Sequence, residues 1–93
     1  MSTKEQARLY HVRGQVQGVG FRYFVEQSAT AIGVRGWVRN VDDGSVEVYA
    51  VGTHHQLSEL AGRLWKGPRW AEVRGVDESE APLEDHSGFF VRQ

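Results

Sequence analysis

From Arg8 to Val16 the chain alternates, with Tyr10, Val12 and Val16 on one parity and His11, Arg13 and Gln15 on the other, which predicts a half-buried strand. Gly14, Gly18 and Gly20 then interrupt any regular element. Apolar positions resume at helical spacing in Phe21, Phe24, Val25, Ser28, Ala29 and Ile32, and Gly33 supplies the left-handed residue that ends a helix. Val34 to Val41 and Ser45 to Val51 are rich in β-branched and aromatic residues, and Asp42-Asp43-Gly44 between them has the chemistry of a hairpin turn. Thr53 and Gln56 have the spacing of a capping box, and Leu57, Leu60, Ala61, Leu64 and Trp65 read as the apolar stripe of a second helix, stopped by Gly67-Pro68. Trp70 to Val76 reads as a strand with Gly75 as a candidate bulge. Ser79 to Ser87 is acidic and turn-rich, and Gly88 to Arg92 is long enough for a short closing strand.

The predicted order is β-α-β-β-α-β with one extra β. Two helices separated by strands in this way most simply cover one face of an antiparallel sheet, an α+β sandwich of the ferredoxin-like kind. The pattern does not say where the extra strand joins the sheet. With 93 residues there is material for one core, so residues 7–93 are expected to form a single domain preceded by a loose, polar N-terminus at residues 1–6.

Charge changes this picture through its distribution more than its sum. Eleven basic and 12 acidic side chains leave a net charge of -1, too little to recruit nucleic acid or an anionic bilayer. Arg8, Arg13, Arg22, Arg35 and Arg39 crowd the first half, with Glu26 almost the only acid among them. Glu72, Asp77, Glu78, Glu80, Glu84 and Asp85 gather near the end, so an anion is expected to prefer the first half. The absence of cysteine excludes disulfides and thiol redox chemistry and fits a reducing cytoplasm. No apolar stretch approaches the ~20 residues of a spanning helix, and no apolar signal core follows Met1. A cytoplasmic monomer is the expectation.

Gly14-Gln15-Val16-Gln17-Gly18-Val19-Gly20-Phe21-Arg22 joins a strand directly to a helix, and its glycines let successive backbone N–H groups turn toward a common point. No Ser, Thr, Asp or Asn stands where the helix must begin, which leaves its first N–H groups to an anion, and Arg22 adds a forked cation. A tight turn beside a solvated arginine fits the same spacing equally well. Asn40, just before the hairpin turn, reads either as a local turn cap or as an amide that donates to one oxygen while accepting from a water. The loop lacks both the Gly-Lys-Ser/Thr ending of a nucleotide-binding P-loop and the third glycine of a dinucleotide fingerprint, so no nucleotide cofactor is expected.

Together these residues resemble the acylphosphatase family. The resemblance runs through Gly14-x-Val16-Gln17-Gly18-Val19-x-Phe21-Arg22, Ala29-x-x-x-Gly33 and Gly36-Trp37-Val38-x-Asn40-x-x-Asp43-Gly44-x-Val46-Glu47. It implies metal-free, cofactor-free hydrolysis of small acyl phosphates to carboxylate and inorganic phosphate, the latter both product and inhibitor. It makes Arg22 the phosphate-binding arginine and Asn40 the water-orienting asparagine. It also implies a cradle of backbone amides from Gln15, Val16, Gln17, Gly18, Val19 and Gly20. Gly20 stands where members of the family carry differing, often larger residues.

Other readings carry less. His54 and His55 are adjacent and point to different sides of a helix, His11 lies on a strand and His86 in a loop, so no metal site is expected. Asp42 and Asp43 suit a turn better than acid–base work, and Trp37, Trp65 and Trp70 suit packing better than ligand platforms. RNA binding through aromatics on the open sheet face is disfavoured, because the strand from Val46 to Val51 holds one ring, Tyr49. A non-catalytic carrier or sensor of carbamoyl phosphate would keep the same pocket, as in larger proteins with an acylphosphatase-like domain. The short length argues for an enzyme.

Overall fold

The computed structural model describes residues 4–93. The elements are β1 (Gln6–Gln15), α1 (Phe21–Ile32), β2 (Arg35–Asn40), β3 (Val46–Gly52), α2 (His54–Lys66), β4 (Glu72–Glu80) and β5 (Phe89–Arg92). They build one five-stranded sheet of order β4-β1-β3-β2-β5. Both helices lie on one face, α1 over β2 and β5, and α2 over β1, β3 and β4.

The alternation in β1 is realised in the register. Tyr10 pairs with Val48 and Val12 with Val46, and all four point into the core between sheet and helices, where Val25, Ala29, Leu57, Leu60 and Leu64 meet them. Burying this apolar surface is the main stabilising term. The Tyr10 hydroxyl, deep in that core, donates to the Leu57 carbonyl at 3.0 Å, so its burial leaves no polar atom unmatched. At the start of α2 the predicted capping box is complete: Thr53 Oγ1 accepts from the Gln56 amide and Gln56 Oε1 from the Thr53 amide. Gly33 closes α1 with a left-handed φ of 98°.

Four expectations change. The sheet is mixed, because β5 pairs parallel with β2, Gly36 to Phe89 through Arg39 to Arg92. To reach that edge the chain leaves β4 and crosses the open face, where the Tyr49 hydroxyl donates to the Pro82 carbonyl at 2.6 Å and accepts from the Glu84 amide at 2.7 Å. Second, β4 runs through Ser79 and Glu80 instead of ending at Val76, because those residues pair with Leu9 and Arg8 of β1. An edge strand with both faces largely wet has no apolar alternation to announce it. Its register slips between Val73 and Gly75, the neighbourhood where a bulge was expected.

Third, Trp65 lies outside the stripe of α2. It is 51% exposed and Trp70 76%, and only Trp37 packs in the interior, stacked on Tyr49 on the open face. Fourth, the polar start is engaged from Glu5 onward. Glu5 accepts from both terminal nitrogens of Arg35, and Gln6 opens β1 opposite Gly52. Met1 to Thr3, the rest of the segment expected to be loose, lie outside the described residues.

Candidate active site

β1 and β2 flank β3 and run parallel to each other, so the loop leaving β1 and the turn leaving β2 emerge at the same end of the sheet. β5 also ends there. Between them opens a cleft of about 300 Å³ lined by Val16, Gly18, Gly20, Phe21, Arg22, Tyr23, Glu26, Asn40 and Val91.

Gly20 is the N-cap of α1, held at φ 75°, and no side chain caps the helix. The backbone N–H groups from Gln17 to Gly20 have no protein acceptor among the described residues. No acid stands in the first turn of α1. Arg22 does, placing a cation at the positive end of the helix dipole, where it is locally unfavourable. An uncapped helix start, free loop amides and a misplaced arginine each cost stability alone. A dianion in the cleft would satisfy all three. The Arg22 Nη1 donates to the Arg92 carbonyl of β5 at 3.4 Å, so the closing strand helps aim the guanidinium.

Asn40 is the last residue of β2, paired through its backbone with Val46. The turn beside it is capped by Asp43, whose Oδ1 accepts from the Ser45 amide at 2.9 Å and from the Ser45 hydroxyl. Those two bonds, with a smaller contribution from nearby His11, hold the Asp43 carboxyl below its ordinary range. With Asp43 in the capping role, the Asn40 side chain makes no hydrogen bond among the described residues and faces the cleft.

The predicted loop residues divide. Val16, Gly18 and Gly20 line the cleft with Arg22 and Asn40, whereas Gln15, Gln17 and Val19 lie outside its lining, so that the backbone N–H groups of Gln17 and Val19 are all that these two residues have left to offer an anion. Gln15 closes β1 opposite Glu72, and Val19 packs against the core. Gln17 turns away to the hairpin, its Nε2 donating to the carbonyls of Val41 at 2.7 Å and Ser45 at 2.8 Å. Pattern reading missed Phe21, Tyr23, Glu26 and Val91 as lining residues. Glu26 was within reach, lying one turn beyond Arg22 on the same helix face. Val91 was not, because it arrives through a strand pairing the pattern does not encode. Among the described residues no three His, Cys, Asp or Glu side chains gather as a metal would require.

An α+β sandwich with an uncapped, arginine-bearing helix start at the end of its sheet has the features that suit a small anion-binding protein. Comparison with known proteins narrows the class. Residues 8–91 match the sequence profile of the acylphosphatase family, so the chain belongs to that family. It is 53% identical over 87 residues to an acylphosphatase of Solibacter usitatus (strain Ellin6076), covering 94% of this chain and 91% of the relative. Its fold superposes on an acylphosphatase from Coxiella burnetii with a TM-score of 0.91 at 40% identity, over 95% and 93% of the two chains. An acylphosphatase from Bacillus subtilis gives 0.89 at 37% identity, over 97% and 100%. No helix among the described residues is long and apolar enough to cross a membrane.

Proposed function

We propose that this protein is an acylphosphatase, hydrolysing the carboxyl–phosphate bond of small acyl phosphates by direct attack of water on phosphorus. The observation that carries the reading is that Arg22, the uncapped start of α1 and the unengaged amide of Asn40 share one cleft. Arg22 and the loop amides hold the phosphoryl oxygens and stabilise their charge as the bond opens. Asn40 donates to one phosphoryl oxygen and accepts from the attacking water, holding it in line. The water oxygen bonds to phosphorus, the bond from phosphorus to the acyl oxygen breaks, and its electron pair leaves with the carboxylate. The proton released by the water passes to inorganic phosphate or solvent. A carboxylate leaves readily, so this chemistry needs neither a covalent intermediate nor a metal.

The test is hydrolysis of a synthetic aroyl phosphate by wild type, Asn40→Ala and Arg22→Ala, with a chelator present throughout. Asn40→Ala is expected to keep phosphate binding while losing roughly 10²- to 10³-fold in kcat, and Arg22→Ala to lose both binding and turnover. Equal loss of binding in the two variants would show the roles to be misassigned. Phosphate binding without turnover in wild type would make the domain a carrier, and loss of activity to the chelator would exclude the metal-free route.

A further inference from the structure

One charged group in the cleft has no part in holding phosphate. Glu26 is half-buried in its wall and makes no hydrogen bond or ion pair with a protein group among the described residues. It lies four residues after Arg22 in α1, hence on the same helix face and about 6 Å further along the axis. That spacing is about the reach of an acyl group of two to four heavy atoms extending from a phosphoryl group held at Arg22. Val91 and the exposed ring of Tyr23 complete that end of the cleft, an apolar rim around a single carboxylate.

We infer that Glu26 is a specificity-determining residue that selects acyl phosphates with an uncharged or hydrogen-bond-donating acyl group against those carrying a second anionic group. This rests on the hydrolytic reading of the cleft. A carboxylate at the far end of the acyl chain meets the Glu26 charge across a few ångströms of partly shielded space, a repulsion that does not act on a neutral chain. An amide or ammonium there instead donates to Glu26, and a small aryl or alkyl group rests against Tyr23 and Val91. The discrimination is negative as much as positive, since the same carboxylate that accepts a donor rejects an anion.

The experiment compares kcat/KM for acetyl phosphate, carbamoyl phosphate and succinyl phosphate, the last bearing a free carboxylate, in wild type, Glu26→Gln and Glu26→Ala. Thermal melts are recorded beside each. Wild type is expected to favour the two neutral acyl groups over succinyl on the order of tenfold, with the ratio shrinking as salt rises. Both variants should collapse that ratio toward unity, a change that loss of folded protein does not produce because it scales all three substrates alike. An unchanged ratio in variants that still hydrolyse acetyl phosphate overturns the role of Glu26 alone. Absence of turnover on every substrate in wild type overturns the hydrolytic reading and this inference together.

Discussion

The side-chain amide of Gln17 donates to the main-chain carbonyl of Val41 at 2.7 Å, and with its second hydrogen to that of Ser45 at 2.8 Å. One side chain thereby ties the loop before α1 to the end of β2 and the start of β3. The tied segments lead into Arg22 on one side and out of Asn40 on the other, 18 positions apart in the chain. Replacing Gln17 by Ala removes two hydrogen bonds, worth about 1–2 kcal/mol together in urea unfolding. On the proposed mechanism turnover is expected to fall further than stability suggests, roughly 10- to 100-fold in kcat, because a small misplacement of phosphate relative to water would be costly. Circular dichroism and steady-state kinetics on the same preparation separate the two effects, and an unchanged kcat would remove Gln17 from the positioning network.

Phe21 begins α1 with its ring 2% exposed in the core, tilted against Phe24 at 6.0 Å between centroids. Phe21→Ala leaves a cavity directly under the loop and is expected to cost ~3–5 kcal/mol. The urea midpoint checks this, and a loss below ~1 kcal/mol would mean that the loop does not depend on that anchor.

Two glycines respond oppositely to alanine. At Gly36 the chain holds a φ of 145°, and an added Cβ would meet the Tyr49 carbonyl oxygen of the neighbouring strand, so Gly36→Ala is expected to destabilise by about 3 kcal/mol or more. At Gly62, on the exposed side of α2, an added Cβ meets nothing within 4 Å. There alanine should stabilise by about 1 kcal/mol through helix propensity alone. Thermal melts of both variants test the pair.

Acid sensitivity follows from three carboxyls held below their ordinary range: Asp43 by the hydroxyl and amide of Ser45, Asp77 by the Arg13 guanidinium, and Glu5 by that of Arg35. Between the folded and unfolded pKa values the unfolded chain binds more protons, so stability rises with pH in that window. Their contribution is therefore complete above about pH 5 and is lost as pH falls through 4 and below. All three are exposed and screened, which keeps the effect small and salt-dependent. Asp43→Asn should lower the urea midpoint at pH 7 and flatten its decline between pH 5 and 3. An acid limb identical to that of wild type would count against Asp43.

Much of this protein was already legible in its amino-acid sequence, for local reasons. The period of two in β1, the helical period after Phe21, the glycine at the end of α1, the box at Thr53 and Gln56 and the turn at Asp42-Asp43-Gly44 are each decided within a few residues. The lack of a cap before Phe21 is equally local, and so were the two readings left open for the glycine loop. Tertiary structure decided what depends on who the neighbours are. Ser79 and Glu80 became strand because β1 offered them backbone partners, and β5 paired parallel with β2 only after the chain crossed over Tyr49. That crossing carried Val91 into the cleft and the Arg92 carbonyl to Arg22. Asn40 was freed from the turn because Asp43 took the capping bonds, and Gln17 gained its role from two carbonyls more than 20 residues away. A side chain's propensity is written at its own position, whereas its partner is set by long-range pairing and packing that no local pattern records.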